Sequence, residues 1–296
     1  MSLWPTPKGT DADRGGRGDL IPGGQGQREP VGPLPLTVGS LFAGIGGFDL
    51  GLERAGMRVA WMCERDESCR AVLAKHFSCP VFDDVRALPG VVEAVDVLVG
   101  GDPCPSRSRA RAHRPTVHPD LSGWFLAVAG RLRPRWVVRE NVPAPDARDF
   151  AAGLVALGYG VAAFALDARD FTAQSRRREF LVGCPPADCA GFAGAVSDAS
   201  DGHGFAASSP EEEAPVAACL TAHPARMAAE DSYVYEPGRG LRLLHSDEAE
   251  ALQGFPRGWT AGLSRSRRRR MVGNAVNVRC AEWIGWRILE WERVSA

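Results

Sequence analysis

The chain has 296 residues, enough for one large domain with a small appendage or for two ordinary domains. Hydrophobic residues make up 45% and charged residues 24%, a balance that suits a globular protein with a sizeable core and excludes a charge-dominated chain. The formal net charge of −1 excludes a global basic field that would by itself point to nucleic acid.

Residues 1–35 are rich in Gly, Pro and charge and poor in core formers, which predicts a disordered tail. From there the pattern predicts strand 36–42, helix 48–55, strand 58–63, helix 67–77 and a short strand 80–82. A buried strand 95–99, helix 121–132, strand 136–138 and helix 148–157 follow. Strands and helices alternating at this spacing predict a parallel α/β sheet. Residues 160–166 and 179–183, on either side of a polar turn, predict an antiparallel addition at its far end. Beyond Cys184 the chain becomes rich in Ala, Pro, Ser and Gly, carries the acidic run Glu211 to Glu213 and loses periodicity, predicting a small loop-rich module or insert over 185–240. A helix is expected to start at Ser246 as N-cap, with Asp247 and Glu248 in its first turn. A last helix over 275–294 has Trp283, Trp286, Ile288 and Leu289 to bury. No internal repeat is visible.

The eight cysteines form no Cys-x-x-Cys pair and no zinc-finger spacing, so neither a metal site nor a disulfide framework is expected. With no signal peptide and no apolar run of membrane-spanning length, the expectation is a cytoplasmic protein with reduced thiols. Nearly all cations are arginine, with Lys8 and Lys75 the only lysines. A GC-rich genome accounts for that as readily as selection for phosphate contact, although arginine is the better bidentate ligand.

Two groups of residues carry chemistry. Strand 36–42 runs into Ala43-Gly44-Ile45-Gly46-Gly47 and then a helix, where glycines let a ligand approach the backbone beside a helix N-terminus. Glu64 ends the second strand, placed to hold ribose hydroxyls, and Asp84 ends the third, placed to accept from an adenine amino group. Each acid alone reads equally well as a solvated strand end. The second group begins where strand 95–99 leads into Gly100-Gly101-Asp102-Pro103-Cys104-Pro105. A free cysteine is most often a small buried hydrophobe, but Arg107, Arg109, Arg111, His113 and Arg114 follow this one, and cations favour a thiolate. Glu140 ends the next strand, which should neighbour the Cys104 strand, and a basic turn, Gln174 to Arg178, joins the two late strands.

Six motifs now stand in order: FAGIGGFDLG at 42–51, GGDPCP at 100–105, ENVP at 140–143, QSRRR at 174–178, LQGFP at 252–256 and GNAV at 273–276. In this order they resemble the DNA cytosine carbon-5 methyltransferases of bacterial and phage type. The resemblance covers the chain from Leu36 onward except 185–240. It implies an α/β, Rossmann-like S-adenosylmethionine-dependent methyltransferase core over 36–184, a small loop-rich target-recognition region over 185–265, and a C-terminal helix over 266–296 returning to the core. It places Phe42, Gly44, Gly46, Glu64, Asp84 and Asn274 around S-adenosylmethionine, with no metal. Cys104 is implied as nucleophile on carbon 6 of a flipped cytosine, Glu140 as the acid at ring nitrogen 3, and Arg176 and Arg178 as the family's arginines, Arg178 at the 2-keto oxygen.

Ser108 matches the family's loop serine, whereas Pro105 and Arg107 stand where it has Gln and an aromatic residue. Ser108, Arg107, Gln174, Thr221 and Arg226 are the expected DNA contacts, with His223 and Tyr233 as further candidates, and loop 105–116 is expected to be mobile and to close from the minor groove. The run from Arg265 to Arg270 fits a phosphate grip or a solvated helix face. The implied partner is double-stranded DNA, bound by a monomer in a bacterial or phage-infected cell, with a restriction enzyme as a conceivable companion. A tRNA cytosine as substrate, a nicotinamide-dependent dehydrogenase and a non-catalytic DNA-binding relative are the rival readings. The dehydrogenase leaves Cys104, Glu140 and the arginine turn unexplained, and retention of both Cys104 and Glu140 argues against the non-catalytic relative.

Overall fold

Strand β1 (Thr37–Leu41) is buried from Val38 onward and ends in the glycine turn that opens helix α1 (Gly47–Ala55). The structure, a computed structural model, describes residues 35–88, 90–103, 121–200, 219–220, 233–236 and 238–295, without the side chains of 198–200 and 233. Strand β2 (Arg58–Cys63), helix α2 (Glu67–His76), strand β3 (Val81–Phe82) and strand β4 (Val97–Gly100) follow. Next come helix α3 (Ser122–Leu132), strand β5 (Trp136–Asn141) and helix α4 (Asp146–Ala156). Strands β6 (Gly160–Asp167) and β7 (Arg177–Cys184) complete a seven-stranded sheet of order β3-β2-β1-β4-β5-β7-β6. All neighbours pair in parallel except β7, which runs antiparallel to both β5 and β6. The antiparallel addition expected from the sequence is therefore this β6–β7 pair.

The strands are buried on both faces. Val137 packs with α3 and α4, whereas Trp136 and Val138 pack in the opposite cluster with α1 and α8 (Val278–Ser295), the two-residue alternation of an extended chain. Helices α1 and α8 approach closely because glycine faces the contact. A Cβ on Gly51 would lie 2.5 Å from the Val278 carbonyl oxygen, and one on Gly47 would lie 2.3 Å from that of Val276. That contact brings the segment before α8 against the glycine turn.

The structure departs from the sequence reading in four places. Strand β5 continues to Asn141, so Glu140 lies within the strand. Helix α5 (Pro186–Ser200) stands where the composition predicts a loop-rich module. Its apolar stripe is only Cys189, Phe192 and Val196 among small residues, too sparse to register as a period, and it packs on the sheet core. The N-cap of α6 (Ser246–Leu252) is His245, whose backbone N–H donates to Glu248 Oε2 at 2.8 Å, with Ser246 the first helical residue. The single C-terminal helix is two, α7 (Arg265–Asn274) and α8, broken over 275–277. A hairpin of β8 (Tyr233–Glu236) and β9 (Gly240–Leu243) precedes α6. Residues 1–34, the expected tail, and most of 201–232 lie outside the described residues. Among the described residues no helix is long and apolar enough to cross a membrane.

Candidate active site

The ends of β1, β2 and β3 form one half of the site. Phe42 adopts φ +53°, a left-handed conformation that costs energy for a residue with a side chain, and Gly44 and Gly46 follow at +57° and +87°. Only the second and third positions are glycine, so the strain at Phe42 marks where the turn is forced. A Cβ on Gly44 would meet no heavy atom within 4 Å, so open space faces that backbone. Glu64 holds the turn: its Oε2 accepts from Gly44 N–H at 2.8 Å and its Oε1 from Asp66 N–H at 2.7 Å. Burial pushes the Glu64 carboxyl up, while those amides pull it down. Asp84 is more exposed and engaged by Arg86, with Nε–Oδ1 2.9 Å and Nη2–Oδ2 2.5 Å, contacts that hold its carboxyl at about 2. Asn274, the last residue of α7, is exposed. Its neighbour Val276 lies between the glycine turn and Gly101, with Cγ2 3.9 Å from where a Gly101 Cβ would be.

Glu140 supplies the other half. Its side chain is buried, and Oε2 lies 3.3 Å from the Cβ position of Gly101, in the loop that leads to Cys104. Strands β4 and β5 are adjacent, pairing Gly100 with Arg139, which fulfils the expected neighbourhood of the two motifs. Arg178 Nε sits 3.2 Å from Glu140 Oε1, but the angles do not make a hydrogen bond, and Oε1 has no hydrogen-bond partner among the described residues. Burial raises the Glu140 carboxyl against the lowering pull of Arg178 and Arg176. A buried carboxyl with an oxygen that accepts no hydrogen bond can hold a proton and offer it to a ligand. Cys104, Arg107, Ser108 and the whole of loop 105–116 lie outside the described residues. The last described part of that loop is anchored: Asn141 Nδ2 donates to the Asp102 carbonyl at 3.2 Å.

In the arginine turn Arg178 faces Glu140, whereas Arg176 and Gln174 are enclosed. Arg176 is buried and spends its guanidinium on backbone carbonyls, donating to Leu220 at 2.9 Å, Gly273 at 3.1 Å and Ala275 at 3.0 Å. It thus pins the chain on both sides of Asn274, and only its Nε lacks a partner among the described residues. Gln174, expected to touch DNA, is 0% exposed. It donates to Gln253 Oε1 at 3.1 Å and accepts from Leu220 N–H at 3.1 Å, while Gln253 donates to Val272 and Ala275 carbonyls. A side chain so enclosed has no surface to offer a duplex. Thr221, His223 and Arg226 lie outside the described residues, as does the side chain of Tyr233. In the Arg265 to Arg270 run, Arg268 is tied to Glu250 at 2.7 Å and also to Asp247, while Arg267 and Arg270 are exposed. Sequence reasoning gave no role to Gln253, although it stands in the LQGFP motif, to Asn277, whose signal was polarity inside an apolar stretch, or to the Asp102–Arg139 pair.

Residues 36–188 and 197–290 match the family described as C-5 cytosine-specific DNA methylase. The chain belongs to that family; it is a DNA cytosine-5-methyltransferase. The methyltransferase is 28% identical over 302 residues to the type II methyltransferase M2.BsuMI of Bacillus subtilis, covering 84% of this chain and 74% of that protein. It is 32% identical over 155 residues to the type II methyltransferase M.HindV of Haemophilus influenzae, where it spans only about half, 51%, of the relative's length. Its fold superimposes with a TM-score of 0.64 on a prophage-encoded E. coli chain described as a DNA modification methyltransferase, at 18% identity and covering 87% of this chain and 99% of that one. The structure of a Spodoptera frugiperda DNMT2 mutant gives 0.61 at 13% identity, covering 86% of this chain and 99% of that one. At such identities the likeness is one of fold.

Proposed function

We propose that this enzyme methylates carbon 5 of a cytosine flipped out of double-stranded DNA, with S-adenosylmethionine as donor, Cys104 as nucleophile and Glu140 as the acid on the ring. The observation that carries the reading is the buried Glu140 carboxyl, whose Oε1 accepts no hydrogen bond among the described residues, set against the loop that leads to Cys104. The residues of the glycine turn fit the donor: open space at Gly44, an uncapped N-terminus of α1, and two carboxylates at neighbouring strand ends suit a cationic nucleoside. Phe42, Gly44, Gly46, Glu64 and Asp84 would hold it, with Asp84 exchanging Arg86 for an adenine amino group, and Asn274 would close the site. When bound, the donor supplies an electrophilic methyl group on a sulfonium.

Carbon 5 of cytosine is too weak a nucleophile to take that methyl group directly. Addition of the Cys104 thiolate to carbon 6 pushes electrons to carbon 5, and the proton that Glu140 gives ring nitrogen 3 offsets the charge that builds there. After methyl transfer the proton on carbon 5 leaves to a base, the carbon 6–sulfur bond breaks, and the thiolate is restored. Arg178, 3.2 Å from Glu140, stands next to the ring's 2-keto side in this reading, and Arg176 acts by positioning the backbone around Asn274. Both reactive ring positions are shielded in a stacked duplex, so the base must swing out at a cost of roughly a few kcal/mol. We further place the enzyme in the cytoplasm as a monomer, as the modifying member of a restriction-modification system.

Cys104→Ala should abolish turnover and leave S-adenosylhomocysteine affinity within about twofold, and a duplex carrying 5-fluorocytosine should become covalently attached to the wild type only. An alanine variant with intact turnover would falsify the assignment of the nucleophile. Offering duplex DNA and tRNA side by side distinguishes the two polymers, and bisulfite sequencing of DNA from a methylation-free host identifies the target.

A further inference from the structure

Two consecutive residues of β5 grip the root of the loop after β4 from opposite faces of the sheet. Glu140 lies against Gly101 on one face. On the other, Arg139 is 2% exposed, with its guanidinium carbon 4.5 Å above the centre of the Phe150 ring. Its Nε meets Asp102 Oδ1 at 2.5 Å and its Nη2 meets Oδ2 at 2.8 Å, while Asp146, the first residue of α4, adds a third contact at 3.1 Å. Asp102 is itself 5% exposed. Neither charge has a part in the chemistry above. Burying two charges is a poor route to stability, because apolar residues of like volume do as well or better. A two-pronged fork instead fixes distance and orientation together. The residues it joins are the neighbour of Glu140 in sequence and the residue two before Cys104.

We propose that the Arg139–Asp102 fork is a positioning device for methyl transfer: it sets where the nucleophile loop leaves the sheet relative to Glu140. The inference rests on the cytosine-5 reading given above. Asp102 and Arg139 are positioning residues, and neither touches the base. A slip at Asp102 would alter the spacing between Gly101 and the Glu140 carboxyl, and small misplacements of reacting groups are costly in rate. The two charges act on Glu140 in opposite senses, Asp102 raising its proton affinity and Arg139 lowering it. Removing both together therefore takes away two opposing influences on Glu140, and a loss of rate that Arg139→Lys shares, with its charge kept, reports geometry.

The test uses the full chain as Arg139→Lys, which keeps the charge but not the fork, and as the double variant Asp102→Leu/Arg139→Met, which replaces the pair by apolar bulk and protects the fold. Melting midpoint, S-adenosylhomocysteine affinity, KM for DNA, single-turnover methyl transfer and capture on a 5-fluorocytosine duplex are measured beside wild type and Cys104→Ala. Both variants should keep cofactor affinity and KM within about twofold, and the double variant should melt near wild type. Transfer and capture should slow together by about 10- to 100-fold. Transfer and capture at the wild-type rate in either folded variant overturn the positioning role and leave the enzyme's assignment standing. A wild type that neither transfers nor captures overturns the cytosine-5 reading itself, and the fork's role with it.

Discussion

Asp49 is completely buried in the first turn of α1, and neither carboxyl oxygen has a hydrogen-bond partner among the described residues. Burial pushes this carboxyl up to about 7 from the ordinary 3.8. The folded state therefore holds a proton that the unfolded chain releases, so the group's contribution to stability is complete below about pH 4. That contribution is lost as pH rises to about 7, a loss on the order of a few kcal/mol. Asp49→Asn carries no proton to lose. Its melting midpoint should fall less than that of wild type between pH 5 and pH 8, and parallel pH profiles for the two proteins would contradict the assignment. Glu140 obeys the same sign: burial favours its protonated form, as a donor to ring nitrogen 3 requires, and Glu140→Gln should flatten the high-pH limb of kcat. An unaltered limb would move that proton to another group.

Between elements, the contact of α1 with α8 decides whether the site closes on itself. Gly47 and Gly51 let the chain at Val276 and Val278 come to backbone contact, and Arg176 and Gln253 fix the same stretch through the carbonyls of Val272, Gly273 and Ala275. Gly51→Val would drive a side chain into the Val278 carbonyl, and the expected loss is about 1–3 kcal/mol or more. Because the displaced segment includes Asn274, S-adenosylhomocysteine affinity should weaken as well; a destabilised variant with unchanged affinity would separate α8 from the cofactor site. Glu250 shows the same economy in the neighbouring loop. It is 0% exposed, accepts backbone N–H groups from Gly258, Trp259 and Thr260, and pairs with Arg268. That pairing withdraws Arg268 from any phosphate.

For the whole molecule, a net charge of −1 means that DNA must be held by local cations. Arg267 and Arg270 on α7 are exposed, unlike Arg268. If both reach phosphates, Arg267→Ala/Arg270→Ala should lower the slope of log affinity against log salt by about 2 and weaken all sequences alike. An unchanged slope assigns them to solvent.

The succession of strands and helices along the chain, the glycine turn and the neighbourhood of the Glu140 and Cys104 strands were legible in the sequence because they depend on local periodicity and on residue types that the chemistry demands. Helix α5 was not, since Cys189, Phe192 and Val196 are too few to mark a face until the sheet covers them. The fates of Gln174 and Arg176 were hidden for a related reason: a polar, basic turn reads as a surface. Their partners, at Leu252 and Gly273, lie 78 and 97 residues away. The chain by itself thus determined its reaction and its sheet, through patterns confined to a few neighbouring residues. Only the tertiary structure decided which arginine faces the carboxyl, which polar groups are enclosed and that Asp102 grips Arg139, because burial and hydrogen-bond partners are supplied by segments distant in sequence.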